Sequence, residues 1–440
     1  MFKINRHSFT NQMFIGQYLP ALGSTIIFAI ADMADALVVG NRMGTLGLAA
    51  IAFSIPVYML YNVIMLSFGI GGSIIFSGKM SEGSESKAVS AYQGVMTILL
   101  LSGTLIAVLG NVFIDGVLSV LGAGFVEKDL YDTIVVYLRI ILFAAPFFLY
   151  DYCISFFMRN DDMEKEASIC SIIGNITDFG LNIILVLVFD LGVKGAGLAT
   201  FTGVVLTSLI QTVAILKKKS HLRFLPYKPD IKSALMAFKT GIASCVSYIY
   251  TFIIVLIANN AMIRLAGEAG VAVFDVVMNI SNTTVNLLGV TNLATQPIIS
   301  TYESECNYDE CDRVGKGANI MSVICGLILM ALIGIFAPHI CRLFGIVSPP
   351  VVQYGAFALR VFGLSAVFMG VSLSVANYFS ARNVPFPTFL INTLRGIAIA
   401  LPVMFIFMSF GKNAFWFYFP VTEIICFVIS LLLWSRYNKR

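Results

Sequence analysis

Residues 43–78 read MGTLGLAAIAFSIPVYMLYNVIMLSFGIGGSIIFSG, a run of 36 residues that contains no Asp, Glu, Lys, Arg or His. A helix needs about 20 apolar residues to cross the hydrocarbon core of a bilayer. The run is long enough to hold a membrane span, and such a length without charge is not typical of a water-soluble domain. Similar stretches occur on both sides of it, along most of the 440 residues.

Composition extends this conclusion to the whole chain. It is 58% hydrophobic and only 12% charged, whereas a soluble domain carries about 25% charged residues. The sequence therefore predicts an all-α polytopic membrane protein with twelve transmembrane helices in two pseudo-symmetric six-helix bundles. The predicted spans are about 13–39, 43–78, 88–114, 133–157, 167–189, 195–216, 240–263, 271–302, 317–341, 351–380, 387–410 and 415–434.

The basic residues are distributed unevenly between the loops. With the N-terminus placed inside, 19 of the 28 Lys and Arg residues fall in inside segments and six in outside segments. The positive-inside rule then places both termini in the cytoplasm. We expect a multi-pass protein of the cytoplasmic (inner) cell membrane, in contact with the lipid bilayer, whose first span is an uncleaved signal anchor.

The two halves of the chain resemble each other when one is shifted by about 221 residues. Internal repeats of this kind are common in transporters, and one chain that holds both halves is sufficient as a monomer. The repeat predicts an N-terminal six-helix lobe (1–220), a cytoplasmic basic inter-lobe loop (221–239) and a C-terminal six-helix lobe (240–440). The matching positions include Phe53 with Phe274, and Leu138-Arg139-Ile140 with Leu359-Arg360-Val361.

The first predicted span carries two acidic residues near its outer end. An ionisable residue inside a span costs about 2.5–3.5 kcal/mol on insertion scales and therefore suggests a function. Asp32 and Asp35 are three residues apart and share a helix face; alternatively, both lie at the outer water interface. Pro20 in the same span removes a helical hydrogen bond, and we expect the helix to bend there.

The fifth predicted span carries a polar stripe. Asn175, Asp178 and Asn182 follow one helix face, and Thr200 lies early in the sixth span. Carboxylate, amide and hydroxyl oxygens suit a small hard cation such as Na⁺, and a carboxylate can bind H⁺ instead. The stripe indicates a cation site, with a purely structural polar contact between helices as the alternative.

The eighth predicted span carries a longer polar stripe that cannot face lipid cheaply. An acidic, watery cavity would attract cationic substrates, although packing against polar groups of another helix is also open. The stripe consists of Asp275, Asn279, Asn282 and Asn286. Four further polar residues are candidates for cavity or ion-pair positions, namely Tyr150, Asp151, Glu423 and Arg395.

Other classes of function lack their motifs. The sequence contains three His residues, no H-E-x-x-H, no G-x-S-x-G and no P-loop, so neither a membrane-embedded enzyme nor a self-contained ATP-driven pump is expected. No basic face suits nucleic acid. We expect no cofactor, and the scattered cysteines are interpreted as reduced structural thiols.

Several motifs together resemble the multidrug and toxic compound extrusion (MATE) family. They are individually loose, but they occur in the family's order and spacing over nearly the whole chain. The motifs are Pro20 followed by Asp35-Ala-Leu-Val-Val-Gly40, Leu48-Ala-Ala50, Gly71-Gly72, Glu82-Gly83, Gly195-Ala-Gly-Leu-Ala-Thr200, Gln296-Pro297, and Arg395 with Pro402.

The resemblance implies a secondary active antiporter that exports amphipathic, often cationic drugs in exchange for Na⁺ or H⁺, and so a contribution to antibiotic resistance. Its N-lobe cation site corresponds to Asp35, an Asn–Asp pair in span five, Ala196 and Thr200, so Na⁺ is expected at Asp35, Asp178, Asn182 and Thr200. This sequence departs from the family in that Asp178 stands where Asn is expected and Asn182 where Asp is expected.

Two further points concern the cargo and the second lobe. Spans seven and ten contain no Asp or Glu, whereas one branch of the family uses acids there, so the resemblance places the coupling site in the N-lobe only. The alternative function is a lipid-linked oligosaccharide flippase of the same superfamily. A basic cavity would suit its anionic cargo, and the acidic stripe on span eight argues against it.

Overall fold

The computed structural model describes residues 18, 22–23, 25–26, 33–217, 220–222, 228–382 and 384–437. Within these ranges the chain is helical and contains no strand. Pro20 and Asp32 lie outside the described residues. All eight cysteines are free thiols.

The helices of the first half lie between residues 34 and 217. Residues 128–160 form two helices with a bend of 47° between them, and only together are they long and apolar enough for one span. The helices are α1 (Ala34–Ala52), α2 (Ile55–Ser81), α3 (Glu85–Val112), α4 (Ile114–Leu121), α5 (Lys128–Phe143), α6 (Ala145–Asn160), α7 (Glu164–Asn182) with a π-helical continuation (Ile183–Val188), and α8 (Gly192–Lys217).

The helices of the second half follow the same plan. The helices of the second half are α9 (Ile231–Gly241), α10 (Val246–Ser304), α11 (Tyr308–Leu343), α12 (Pro349–Gly363), α13 (Ser365–Ala381), α14 (Pro385–Thr393) with a π-helical continuation (Leu394–Ala398), α15 (Ala400–Ser409) and α16 (Tyr418–Tyr437). Within the described ranges of the whole chain, nine helical segments are long and apolar enough to cross a membrane, or ten if the bent pair α5–α6 is counted as one span. The all-α, multi-span prediction is confirmed.

The long helix α10 holds two predicted spans joined at a glycine. Gly267 has φ 63° and ψ −156°, and Gly44 inside α1 has φ 61° and ψ −138°. Positive φ favours glycine because it has no Cβ. The two kinks are 223 residues apart, as are Gly122 and Gly345, which also have positive φ. The backbone thus repeats near the predicted offset of 221.

Contacts divide the chain into two compact units. One unit is Val38–Val271, and the other combines Met1–Leu37 with Ala272–Arg440. The predicted lobe boundaries rest on the sequence repeat and stay a prediction.

In the unit 38–271, α9 packs along α2 through small residues. A Cβ on Gly71 would overlap the carbonyl oxygen of Ala237, and one on Gly241 would overlap that of Ser67. Because only glycine permits such an approach, α9 forms a continuous contact with α2. Helix α9 begins at Ile231, nine residues before the predicted start of span seven. A 3₁₀ turn (Ile242–Cys245) joins α9 to α10.

In the unit that contains residues 272–440, α13 packs between α11 and α16. Tyr378 stacks on Trp434 with ring centroids 4.2 Å apart, and both rings lie against Gly315. Arg382 donates to Glu303 over 2.7 Å and to the Tyr378 hydroxyl over 2.6 Å. These contacts join the ends of four helices on the predicted cytoplasmic side.

Candidate cation and substrate sites

The polar stripe of span five lies on α7, against α8. Asn182 is fully buried and its Nδ2 donates to Asp178 Oδ1 over 3.4 Å. On α8, Ala196 and Thr200 are buried as well. Asp178 is half-buried, whereas Asn175 at the other end of the stripe is exposed. The carboxylate and amide that the sequence predicts on one face are therefore adjacent.

Two glycines bring α7 and α8 together at this point. A Cβ on Gly203 would lie 2.9 Å from the Asp178 Cβ and 3.2 Å from the Gly174 carbonyl oxygen. A Cβ on Gly174 would in turn overlap Thr207 Oγ1. Since ordinary carbon contacts lie at about 3.5–4.0 Å, only glycine fits at either position. Asp178 is thus held directly against the backbone of α8.

Asp35 lies in the first turn of α1 and is half-buried. It belongs to the unit that includes Met1–Leu37, whereas Asp178, Asn182 and Thr200 belong to the unit 38–271. The participation of Asp35 in a cation site stays a prediction.

The stripe of span eight changes from buried to exposed along α10. Asp275 is fully buried; its Oδ2 accepts from Asn279 Nδ2 over 3.2 Å, while its Oδ1 has no hydrogen-bond partner among the described residues. Asn279 and Asn286 are half-buried and Asn282 is exposed. Asp275 at the acidic end of the stripe is therefore buried, and its role in a substrate cavity stays a prediction.

Tyr150 and Asp151 lie on α6, where both are buried. The Tyr150 hydroxyl and Thr212 Oγ1 are 2.7 Å apart. The Gln211 amide from α8 lies beside the Asp151 carboxyl. Gln211 is fully buried, and neither of its amide atoms has a hydrogen-bond partner in the described part of the chain. Gln211 carries no signal in the sequence, because no local spacing links it to Asp151, 60 residues away.

Arg395 and Glu423 form an ion pair. Arg395 Nε donates to Glu423 Oε1 over 2.6 Å, and the two side chains are 19% and 7% exposed. Arg395 lies in the π-helical continuation of α14 and Glu423 on α16. The sequence marks both as charged residues within spans, but only the structure pairs them.

On the predicted outer side, Arg42 and Asp190 form a two-point ion pair. Arg42 Nε donates to Asp190 Oδ1 over 2.5 Å, and Arg42 Nη2 contacts Asp190 Oδ2. The hydrogen bond from Arg42 lowers the pKa of Asp190. Both side chains are solvent-exposed, so this pair orients the loop between α7 and α8 but adds little stability.

The described residues contain no cluster of three or more His, Cys, Asp or Glu side chains that could hold a metal ion. A bound Na⁺ would therefore depend on amide, hydroxyl and carbonyl oxygens as well as on carboxylates. Asp178, Asn182 and Thr200 supply three of these donor types within one unit.

Comparison with known proteins agrees with this architecture. Residues 20–184 and 240–406 match the model of the MatE family. The probable multidrug resistance protein YoeA of Bacillus subtilis is 22% identical over 96% of this chain and 92% of that protein. The multidrug export protein MepA of Staphylococcus aureus is 24% identical over 94% of this chain and 91% of that protein.

Solved structures show the same fold. An inward-facing multidrug resistance MATE family transporter of the MOP superfamily superposes with a TM-score of 0.84 at 20% identity, over 93% of this chain and 94% of that one. The MATE multidrug transporter DinF-BH in complex with R6G gives 0.73 at 18% identity, over 97% and 95%. Since the family model covers both halves of the chain, the protein belongs to the MatE family of membrane transporters.

Proposed function

We propose that this chain is a secondary active multidrug exporter that exchanges Na⁺ or H⁺ for amphipathic organic cations. The observation that carries the proposal is the Asp178–Asn182 pair, held against α8 inside a transporter fold. The similarity to proteins named for multidrug resistance and export supports the choice of cargo.

The chemistry of the pair suits a monovalent cation. A carboxylate inside a membrane span is costly while it is charged, so a bound cation stabilises the state in which Asp178 is surrounded by protein. The Asn182 amide and the Thr200 hydroxyl add neutral oxygen ligands for Na⁺, and a proton needs the carboxylate alone. The exchanged order of Asp178 and Asn182 keeps the charge and the number of oxygens on the helix face.

Exchange requires that the cation prefers one conformation of the protein. A ligand with equal affinity for two states does not shift their equilibrium. We propose that the cation binds more tightly to the state that has released its drug, so that each cation entering from outside resets the transporter. The resemblance adds Asp35 to the coupling residues and Pro20 as the point where the first span bends.

The remaining features of the proposal follow from the sequence patterns. The acidic and amide stripe of span eight, which begins at Asp275, would favour cationic over anionic cargo. We propose that the protein acts as a monomer in the cytoplasmic membrane with both termini inside, and that it needs no cofactor.

The test is ethidium transport by purified protein in proteoliposomes, with a Na⁺ gradient and a pH gradient imposed separately. One gradient alone should drive ethidium movement, and Asp178→Asn should abolish it. Thr177→Ala is the matched control, because the neighbouring Thr177 hydroxyl donates to the carbonyl of Ile173 in its own helix. No transport under either gradient would refute the exchange mechanism, and a lipid-linked oligosaccharide would then be tested as cargo.

A further inference from the structure

A second buried carboxyl group lies in the unit 38–271, separate from Asp178. Asp151 on α6 is 9% exposed, and the contact of its neighbour Tyr150 with Thr212, 2.7 Å long, brings α6 against α8 beside the fully buried Gln211. The nitrogen and the oxygen of the Gln211 amide both lack hydrogen-bond partners among the described residues. Such unsatisfied polar groups are uncommon in the interior of proteins and call for an explanation.

A line of buried polar side chains on α8 connects this carboxyl group with the Asp178 region. Thr200, Thr207 and Gln211 are spaced by seven and four residues and so share one helix face. They span eleven residues, or about 16 Å at 1.5 Å per residue. Thr207 packs against Gly174, one turn from Asp178 on α7. Gln211 is six residues from the end of α8, about 9 Å from the predicted cytoplasmic side.

The groups that surround Asp151 are neutral or weakly acidic. Cys170 on α7 lies near Asp151. Tyr92 on α3 lies near Tyr150 and Cys153, which are on α6 with Asp151. Within the described ranges, no Lys or Arg forms an ion pair with Asp151. Among the described residues, a charged carboxylate at this position has no compensating cation, and in a membrane span such a charge is costly.

The Gln211 amide can partner the carboxyl group in either state. A protonated carboxyl donates its O–H to the amide oxygen, and a carboxylate accepts from the amide N–H. A hard metal ion would take several oxygen ligands, and the two side chains offer only three. The local chemistry therefore suits a proton.

We propose that Asp151 and Gln211 form an inner proton-binding site, distinct from the Asp178 site, that takes up and releases a proton during the transport cycle. On release, the carboxyl O–H bond breaks, the proton passes to water on the cytoplasmic side, and the remaining carboxylate accepts from the Gln211 amide. This inference rests on the proposed exchange function, because it gives the chain a second carboxyl group that changes its charge during transport.

Proton binding can be measured without transport. Infrared pH-difference spectra of the purified protein in lipid nanodiscs report the carboxyl stretching bands, with no drug and no gradient present. Asp151→Asn should remove one titrating band that Asp178→Asn retains, and Asp151→Glu should restore a band. Gln211→Leu removes the amide donor to the carboxylate, and we expect about a ten-fold increase in proton affinity, since a hydrogen bond to the charged carboxylate is stronger than one to the neutral carboxyl group.

Two results would overturn the inference. One is an Asp151→Asn spectrum identical to that of the wild type, and the other is a band that Gln211→Leu does not move. If Asp151→Asn does not fold, the Gln211→Leu comparison decides alone. Failure of the proposed function is distinguishable: a wild type that shows the titrating Asp151 band but no ethidium transport keeps the proton site and loses the exchange mechanism.

Discussion

The close approach of α7 and α8 makes a sharp prediction for Gly203→Ala. The new methyl group would lie 2.9 Å from the Asp178 Cβ, whereas ordinary carbon contacts lie at about 3.5–4.0 Å. One helix must therefore move by about 0.6–1.1 Å, or Asp178 must be displaced. Overpacking of this kind costs roughly 1–3 kcal/mol, and the higher helix propensity of alanine offsets about 1 kcal/mol of it.

The net packing cost of up to about 2 kcal/mol arises at Asp178, where the cation is proposed to bind. Since about 1.4 kcal/mol corresponds to a factor of ten, we expect about a ten-fold weaker apparent affinity for the coupling ion. The assay is the rate of ethidium transport in proteoliposomes as a function of the concentration of that ion. Thermal unfolding in detergent, measured on the same preparations, reports the change in stability.

The matched control is Gly180→Ala on α7, because, apart from the adjacent residues and backbone of α7 itself, no atom of the described residues lies within 4 Å of a Cβ added there. It should keep the wild-type ion affinity and, through helix propensity, gain up to about 1 kcal/mol of stability. If Gly203→Ala instead behaves like Gly180→Ala in both measurements, the contact between Asp178 and α8 is not a determinant of cation binding, and the reasoning is refuted.

Three further predictions concern other parts of the chain. Asp35→Asn should abolish drug resistance at unchanged expression in a susceptible host; retained export would remove Asp35 from the coupling role. Glu423→Gln leaves Arg395 buried without its counter-charge and should cost about 3–5 kcal/mol of folding stability. The cost should appear as a large drop in thermal stability in detergent, and the double variant Arg395→Met with Glu423→Leu should relieve it. Equal stability of the single and the double variant would contradict this. Asp230 caps α9 by accepting from the Ser233 backbone N–H and hydroxyl, which lowers its pKa. Asp230→Ala should lower the free energy of unfolding by about 1 kcal/mol. Because the pKa of Asp230 is lower in the folded protein, its contribution to stability is present above the ordinary carboxyl pKa of about 3.9. The contribution is lost as the pH falls through the lower pKa of the folded protein. Thermal unfolding scans at neutral and acidic pH check it, and a difference between variant and wild type that persists in acid would argue against it.

Local periodicity predicted part of the candidate site. The spacing of Asp178 and Asn182 places them on one helix face, and the structure finds the two side chains in contact. The same reasoning grouped Asn175 with them, yet Asn175 is exposed. The polar stripe extends further along α7 than the part of that face which is buried against α8. Periodicity gives the face of a helix but not the width or depth of its burial.

Long-range pairs could not be predicted in this way. Arg395 with Glu423, and Asp151 with Gln211, join residues 28 and 60 positions apart on different helices. Nothing in the spacing along one helix says which neighbour faces it. The early start of α9 was missed for a similar reason: its small residues become a packing face only where Gly71 of α2 admits their backbone.

The order of residues was enough to predict an all-helical membrane protein with an internal repeat, because the cost of charge in lipid and the helical period act on each segment separately. It also determined which polar residues share a helix face. Only the tertiary structure decided which of those faces are enclosed, through the glycine contacts Gly174–Thr207 and Gly203–Asp178. It alone decided that Gln211 lies beside Asp151 and that Glu423 has a counter-charge, because such pairings depend on how helices pack and not on the order of residues within one of them.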